Sequence, residues 1–566
     1  MNGLLRKPVF EKNKVLIFAG CWLLVNLLQA AFTGLANDEA YYWMYARKLS
    51  IGYFDHPPMI AVMIRLGDWL MHSELVLRLL TVLFSTLLIP VMYRLTNRKD
   101  FPLFVLLVCS ATVFQVYGFI AVPDAPLMLF TALFFLAYKN YTGRNGIRES
   151  LVLIVVIALL LYSKYHGFLV LIFTLLSNFS LLKRKSFYAV IAGVIVLYMP
   201  HIWWQVANDY PSYQYHVLNK SQTSYNPLDS LAFLAGVLLV AGPLTGWMMI
   251  YAVFKHRPEN AALKAMRFTF FGFLIFFFAS AFNAAVEPNW MAASIVPLVI
   301  IAHHYFSERE SARKWLVRLA FISLLLFSFA RINLMTDLVP ALGSKILPEF
   351  YGWHEWAEEI EKHADGKPVV IMNSYQKASK YSFYTNTEAL SLNNVCYRRN
   401  QYDLWDIVDN MQGKDVALFM TWAEGRDSLI TFDTPRGKMQ ELFIDNFHSY
   451  TKVRIETGKD WYHFKTGTDV EIPLTVFSTA PGGRLDFFQD AHYPVSLVYE
   501  RYYFQQFGQE IKLQQIDQPS LGNEWRPVAH LHTPDKPGPY YLRFCIKTGW
   551  MPAYINSHLI RMDVEN

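Results

Sequence analysis

Charge is what this chain lacks. Only 17% of its 566 residues are Asp, Glu, Lys or Arg, against about 25% in an ordinary soluble domain. The deficit lies before about Asn333, which excludes a soluble globular reading of that part. Cysteine is scarce too, with four residues. Cys21 and Cys109 lie in apolar runs, and Cys396 and Cys545 lie in the later, ordinary sequence. No CxxC pair and no Cys/His ligand spacing occurs, so zinc modules and dithiol redox motifs are excluded. A Cys396–Cys545 disulfide is the one pairing to consider, if that part lies outside the cytoplasm. Internal repeats and low-complexity tracts are absent, which excludes solenoids and arrays. The net charge of +6 is small, and the Lys/Arg clusters sit in short loops between apolar runs. That pattern belongs to membrane topology and not to nucleic-acid binding.

What is present is apolar: 54% hydrophobic and 16% aromatic residues. Eleven runs stand out, at 15–36, 74–95, 101–120, 124–140, 150–162, 167–182, 186–204, 230–254, 267–283, 291–306 and 314–332. Many reach the roughly 20 residues that cross a bilayer. The first follows Arg6, Lys7, Lys12 and Lys14. It is long for a signal peptide and has no small-x-small cleavage site, so it reads as a retained span. Every even-numbered run exits into basic sequence: Arg94, Arg98 and Lys99; Lys139, Arg144 and Arg148; Lys183-Arg184-Lys185; Lys255, His256 and Arg257; Arg309, Arg313 and Lys314. Cytoplasmic loops carry such excess. The N-terminus is therefore expected inside, and about 11 transmembrane helices put the C-terminal part outside.

The expected fold is a polytopic α-helical membrane domain over 1–333 and a soluble domain over 334–566. Within the latter, 345–440 reads as α/β, with helices at Gly352–Ala364 and Lys377–Phe383 and strands at Val369–Met372 and Val416–Met420. Residues 441–566 read as β-rich, with strands at Lys452–Glu456, Val470–Val476, Val495–Tyr499 and Tyr540–Cys545.

The polar residues gather on the outward connections: Asp38-Glu39 and Asp55-His56, Asp124 between Pro123 and Pro126, Lys164-Tyr165-His166, the 205–227 segment, and Glu287-Pro288-Asn289-Trp290. Charge near a bilayer is expensive and usually functional. Residues 38–49 are expected to be helical, with Asp38 as N-cap or in the first turn. Tyr41, Tyr42, Trp43 and Tyr45 suit the headgroup zone, and Pro57-Pro58 start a second helix whose apolar side is Ile60, Ile64 and Leu66. Tyr213, Tyr215, His216, Gln222 and Tyr225 make 205–227 a candidate lid. His303-His304, at an inner span end, read as interfacial and not as metal ligands.

Taken together, Asp38-Glu39-Ala40-Tyr41-Tyr42, Gly52-Tyr53-Phe54-Asp55-His56-Pro57-Pro58, Pro123-Asp124-Ala125-Pro126, Ser163-Lys164-Tyr165 and Glu287-Pro288-Asn289-Trp290 resemble the bacterial dolichyl-phosphate-mannose–protein mannosyltransferase-like proteins. These form glycosyltransferase family 39, relatives of the aminoarabinose transferase acting on lipid A. The resemblance covers about residues 10–333. It implies the GT-C fold, a polyprenyl-phosphate-linked sugar donor, inverting transfer on the trans side of the membrane, and Asp38 and Glu39 at the reaction centre. It also implies a bacterial inner membrane with the site and C-terminal domain facing the periplasm. His56 stands where aminoarabinose transferases carry a lysine, which sets the chain apart from those enzymes and leaves the donor sugar open.

Transfer from a phosphate-linked sugar needs a carboxylate to take the acceptor proton, donors for the departing phosphate and a shielded cleft. Asp38 is expected to be the base, with Glu39 orienting hydroxyls. Asp55, His56, Asp124, Lys164, Tyr165, His166, Glu287, Asn289 and Trp290 are expected to bind substrate. Each has a plainer reading as well: a helix cap for Asp38, turns for Asp55-His56 and Asp124, a snorkelling Lys164, an interfacial Trp290. The sequence defines no cofactor. The acidic residues Asp38, Glu39, Asp55 and Asp124 could attract a divalent cation, though no spacing defines a metal site. The expected partners are the polyprenyl-phosphate sugar, a lipid, glycan or protein acceptor, and membrane lipid. A transporter or flippase of a lipid-linked sugar is the alternative; it would place ionisable groups at mid-span. A membrane-anchored scaffold is a third reading, in which the soluble domain alone would suffice.

Overall fold

The computed structural model describes residues 6–219, 226–283, 285–421, 429–480, 482–503 and 506–566. Gln222 and Tyr225 lie outside the described residues. The chain divides into two compact units, Met1–Tyr351 and Gly352–Asn566.

The first unit is helical, and the apolar runs of the sequence are largely helix. Among the described residues six helices are long and apolar enough to cross a membrane: Asn13–Phe32, Glu74–Leu95, Lys185–Ala207, Ala261–Ser280, Pro288–Ser307 and Glu310–Thr336. A seventh crossing exists if Pro227–Ala241 and Gly246–Lys255, bent by 93°, form one span. The eleven runs are thus not all recovered as unbroken helices of crossing length. The run at 101–120 breaks at Ala111, whose backbone is extended between helices Phe101–Ser110 and Thr112–Val116. The run at 230–254 turns at Gly242, with φ +137°, where a Cβ would stand 2.5 Å from the Ser110 carbonyl oxygen. Only glycine fits there. Irregular backbone at membrane depth is tolerated where protein covers it, and Ser110, Ala111 and Ala241 are all buried. The helix Ala292–Ser307 forms the centre of the unit, and nearly all of its side chains are buried. Lys185–Ala207 and Glu310–Thr336 leave most of their apolar surface uncovered, as lipid-facing helices do.

Two short helices follow the first span, Asn37–Arg47 and Met59–Asp68. Tyr41, Tyr42, Trp43 and Tyr45 are buried inside the unit and do not face a headgroup layer. The cause is polar: Trp43 donates to Asp68 at 3.1 Å, and both Tyr41 and Tyr45 donate to Asp55. Ile60 and Ile64 are buried as expected, whereas Leu66 is exposed, because Met63 and Gly67 complete the inner face.

The second unit opens with a five-stranded sheet ordered Leu390–Leu392, Val369–Met372, Val416–Met420, Gly437–Ile444, Ile430–Thr434. The first three strands are parallel and the last two antiparallel. Helices Trp353–Ala364 and Tyr375–Thr385 pack together beside it. The remainder is β-rich. Gln506–Gln515, Val495–Tyr503, Gly538–Thr548, Ile560–Glu565 and Trp461–Lys465 form one sheet. Asp469–Ser478 pairs with Val453–Thr457, Glu524–Trp525 and Val528–His532 in another. Ile472, Leu474 and Val476 are buried at alternate positions, the two-residue period of a strand with one covered face. Cys396 and Cys545 are both free thiols, so the disulfide considered from the sequence is not formed; Cys396 is exposed and Cys545 packs in a small core with Val498 and Ala553.

Candidate active site

The site is built where the first span ends. That helix leaves C-terminal carbonyls without helical partners, and Arg78 of the helix Glu74–Leu95 closes them. Its guanidinium donates to the carbonyls of Ala30 (3.0 Å), Thr33 (2.5 Å) and Gly34 (2.8 Å). It also grips the Glu39 carboxylate at 2.7 and 2.5 Å. Glu39 accepts the backbone N–H groups of Ala36 (2.8 Å) and Ala121 (2.7 Å) as well. Both side chains are wholly buried, so the Glu39 oxygens are committed within the protein. The clamp fixes the turn from which helix Asn37–Arg47 starts, and Asp38 stands in its first turn, half-buried. Glu349 supports the same turn by accepting the Asn37 N–H at 3.3 Å.

Asp124 and Lys164 form a second buried pair. The Lys164 ammonium reaches both Asp124 oxygens, at 2.9 and 2.8 Å. Two of the three ammonium protons are thereby used and one is left. The Tyr117 hydroxyl lies within the fields of Asp124, Glu287 and Asp38 and meets the Asn289 side chain. One tyrosine thus brings four of the expected site residues into one neighbourhood. His166 packs on Trp290, with ring centroids 5.7 Å apart, and Phe277 touches both rings.

Asp55 and His56 occupy an adjoining pocket. Tyr41 and Tyr45 donate to one Asp55 oxygen at 2.9 and 3.1 Å. Burial, then the nearby Tyr41 and Asp55, pushes the Tyr45 hydroxyl up, so it remains a donor. The Tyr45 and Tyr53 rings stack at 4.0 Å. His56 lies against Tyr42 and near His216, whose Nε2 meets the Asp55 carbonyl at 3.0 Å. Tyr165 joins this pocket to Lys164. Its hydroxyl meets His201 Nε2 (3.0 Å) and Ser212 Oγ (2.8 Å), and accepts from Gln205 at 2.8 Å. Ser212 Oγ donates to the Phe54 carbonyl at 2.8 Å, and His201 Nδ1 meets the Ile51 carbonyl at 2.8 Å. The 51–56 loop is therefore tied to 201–216. Gly52 sits so close that a Cβ would meet Trp204 at 2.4 Å.

Sequence reasoning did not single out Arg78, Tyr117, His201, Gln205 or Ser212. Arg78 was findable, as a charge inside an apolar run. His303 and His304 are buried, their Nε2 atoms 3.2 Å from the carbonyls of Asp100 and Leu95. Among the described residues no group of three or more His, Cys, Asp or Glu is arranged to hold a metal ion.

Fold and comparisons agree with the resemblance read from the motifs: the chain has helices of membrane-crossing length and the GT-C fold of ArnT, and it is similar to glycosyltransferases. Residues 55–204 match the model of the dolichyl-phosphate-mannose-protein mannosyltransferase family, a stretch from Asp55 to Trp204 that holds Asp124, Lys164 and His201. In particular, the chain is similar to the lipid A galacturonosyltransferase RgtD of Rhizobium johnstonii, with 24% identity over 395 residues, 64% of this chain and 80% of RgtD. It shares its fold with ArnT from Cupriavidus metallidurans. The apo crystal structure matches with a TM-score of 0.55 at 14% identity, covering 76% of this chain and 98% of ArnT. The form bound to undecaprenyl phosphate matches with a TM-score of 0.53 over the same shares.

Proposed function

We propose that this protein transfers a monosaccharide, with inversion, from a polyprenyl-phosphate donor to a hydroxyl of a lipid A-type glycolipid. The reaction takes place at the periplasmic face of the inner membrane. The observation that carries the reading is the placement of Asp38. It is half-buried on a clamped helix start, in one neighbourhood with the Asp124–Lys164 pair, Glu287 and Asn289.

Asp38 takes the proton of the acceptor hydroxyl as its oxygen attacks the anomeric carbon, and the bond from that carbon to the phosphate oxygen breaks. One displacement inverts the centre and needs no nucleophilic carboxylate. The remaining Lys164 proton and the imidazoles of His56 and His166 are donors for the departing phosphate. Trp290 and the tyrosines of the 41–53 segment offer faces for a sugar ring. Glu39 acts through Arg78 and is a positioning residue. The transfer chemistry belongs to the first unit, and acceptor recognition to the second. The proposed acceptor draws on the likeness to RgtD, whose name assigns it galacturonosyl transfer to lipid A, and the lipid donor on the fold shared with ArnT, solved with undecaprenyl phosphate. Mass spectrometry of lipid A from wild-type, deletion and complemented strains tests it: the deletion should lose one sugar mass. An unchanged lipid A together with a changed protein glycan would move the acceptor elsewhere.

A further inference from the structure

Two cations of the second unit, Lys377 and Arg436, lie together with no carboxylate partner among the described residues. Lys377 is the third residue of helix Tyr375–Thr385, and Ser374 caps that helix by accepting the Lys377 N–H at 3.2 Å. A helix start carries partial positive charge, so a lysine there is disfavoured. Its ammonium is partly buried and, among the described residues, is hydrogen-bonded to Met439 Sδ, at 3.6 Å, a weak acceptor. Arg436 occupies the two-residue turn between Ile430–Thr434 and Gly437–Ile444, its N–H held by Thr434 Oγ1 at 3.1 Å. Its guanidinium lies 5.1 Å from the centroid of Trp353, and Lys380 approaches the same ring at 4.4 Å. The Arg436 Nε is buried without a hydrogen bond. Burial and the Arg436 charge push the Lys377 ammonium down to about 8.

The location is as telling as the charge. Val369–Met372 runs into Ser374 and the helix, and it lies between Leu390–Leu392 and Val416–Met420 in the sheet. The chain therefore leaves this strand toward one side and returns on the other. Met439 lies beside the carboxyl end of Val416–Met420, since Met420 pairs with Gln440. Open α/β sheets take ligands in the crevice outside the carboxyl ends of their strands, at this switch of direction.

We propose that this crevice binds the dianion of a phosphate monoester, held between Lys377 and Arg436 at the start of helix Tyr375–Thr385. Two cations without a carboxylate partner among the described residues match a dianion, whereas a carboxylate would neutralise one of them. Backbone N–H groups of a helix start add donors of the right polarity. The proposal does not rest on the transfer reading, and its test reads no transfer.

The test is acetylation of the full chain in detergent micelles, followed residue by residue by peptide mass spectrometry. The probes are inorganic phosphate in solution and phosphatidic acid mixed into the micelles, each against chloride at equal ionic strength. Bound phosphate should slow acetylation of Lys377 by about fivefold at a concentration of a few Kd, while exposed Lys414 and Lys459 are unaffected. Protection by inorganic phosphate means that a free monoester suffices; protection by phosphatidic acid alone assigns a lipid-borne one. Arg436→Gln should abolish the protection, and Arg436→Lys should keep it. Absence of protection by both probes, or full protection in Arg436→Gln, overturns the proposal.

Discussion

Arg78 grips Glu39 through Nε at 2.7 Å and Nη2 at 2.5 Å, with neither side chain exposed. The same guanidinium closes the last carbonyls of the first span. A residue next to the proposed base is thus held to the second span by charge. Removing one partner of such a pair strands the other, at a cost of about 3–5 kcal/mol. Arg78→Met should lower stability by that order and reduce transfer with it. Thermal unfolding in detergent checks this. The double variant Arg78→Met/Glu39→Gln should lose less than the sum of the singles, because neither charge is then stranded.

Asp124 and Lys164 allow a cleaner separation of structure from chemistry. Lys164→Met should destabilise by a similar order, about 3–5 kcal/mol. Asp124→Asn/Lys164→Met carries no stranded charge and should recover much of that loss. Its transfer should nonetheless stay at least about a hundredfold down, as expected when a leaving-group donor is lost. A folded double variant with normal turnover would make the pair a strut alone.

Gly52 predicts a steric result. A methyl group there would stand 2.4 Å from Trp204 Cε3 and 3.0 Å from His201 Nδ1. Gly52→Ala should cost about 1–3 kcal/mol through overpacking and lower transfer by shifting Asp55 and His56. Trp204→Leu in the same chain should restore a good part of both. Unfolding temperature and initial rates read the two effects.

Much of this was legible in the sequence. The apolar runs became largely helical, the C-terminal strands fell where their alternation put them, and three of the motif acids, Asp38, Asp124 and Glu287, lie around Tyr117. What sequence could not supply was pairing at a distance. Glu39 read as orienting substrate hydroxyls, because nothing local shows that Arg78 and the N–H groups of Ala36 and Ala121 hold its oxygens. Tyr41 and Tyr45 read as interfacial aromatics because nothing local shows that Asp55 would accept from both. Helix count suffered for a related reason. The breaks at Ala111 and Gly242 are set by packing against each other's neighbourhood, and hydropathy does not register them.

Lys377 supplies a pH prediction. Its pKa falls from 10.5 to about 8 in the folded chain. Below pH 8 both states hold the proton and the full penalty applies. Between the two values the unfolded chain binds more protons, so the penalty on the folded state fades as pH rises. Without phosphate, Lys377→Met should therefore be more stable than wild type at pH 7. Allowing for partial solvent screening, the gain should be about 1–2 kcal/mol. The difference should vanish toward pH 10.5. Paired unfolding curves at pH 7 and pH 10 read it directly.

The central claim is that Asp38 is the base. It is tested most directly by complementing a deletion strain with Asp38→Asn and weighing lipid A, with membrane insertion and unfolding temperature measured on the same variant. The account predicts a folded, membrane-inserted protein and lipid A that still lacks the sugar mass. Restoration of that mass by Asp38→Asn would contradict it and move the base to another carboxylate of the Tyr117 neighbourhood.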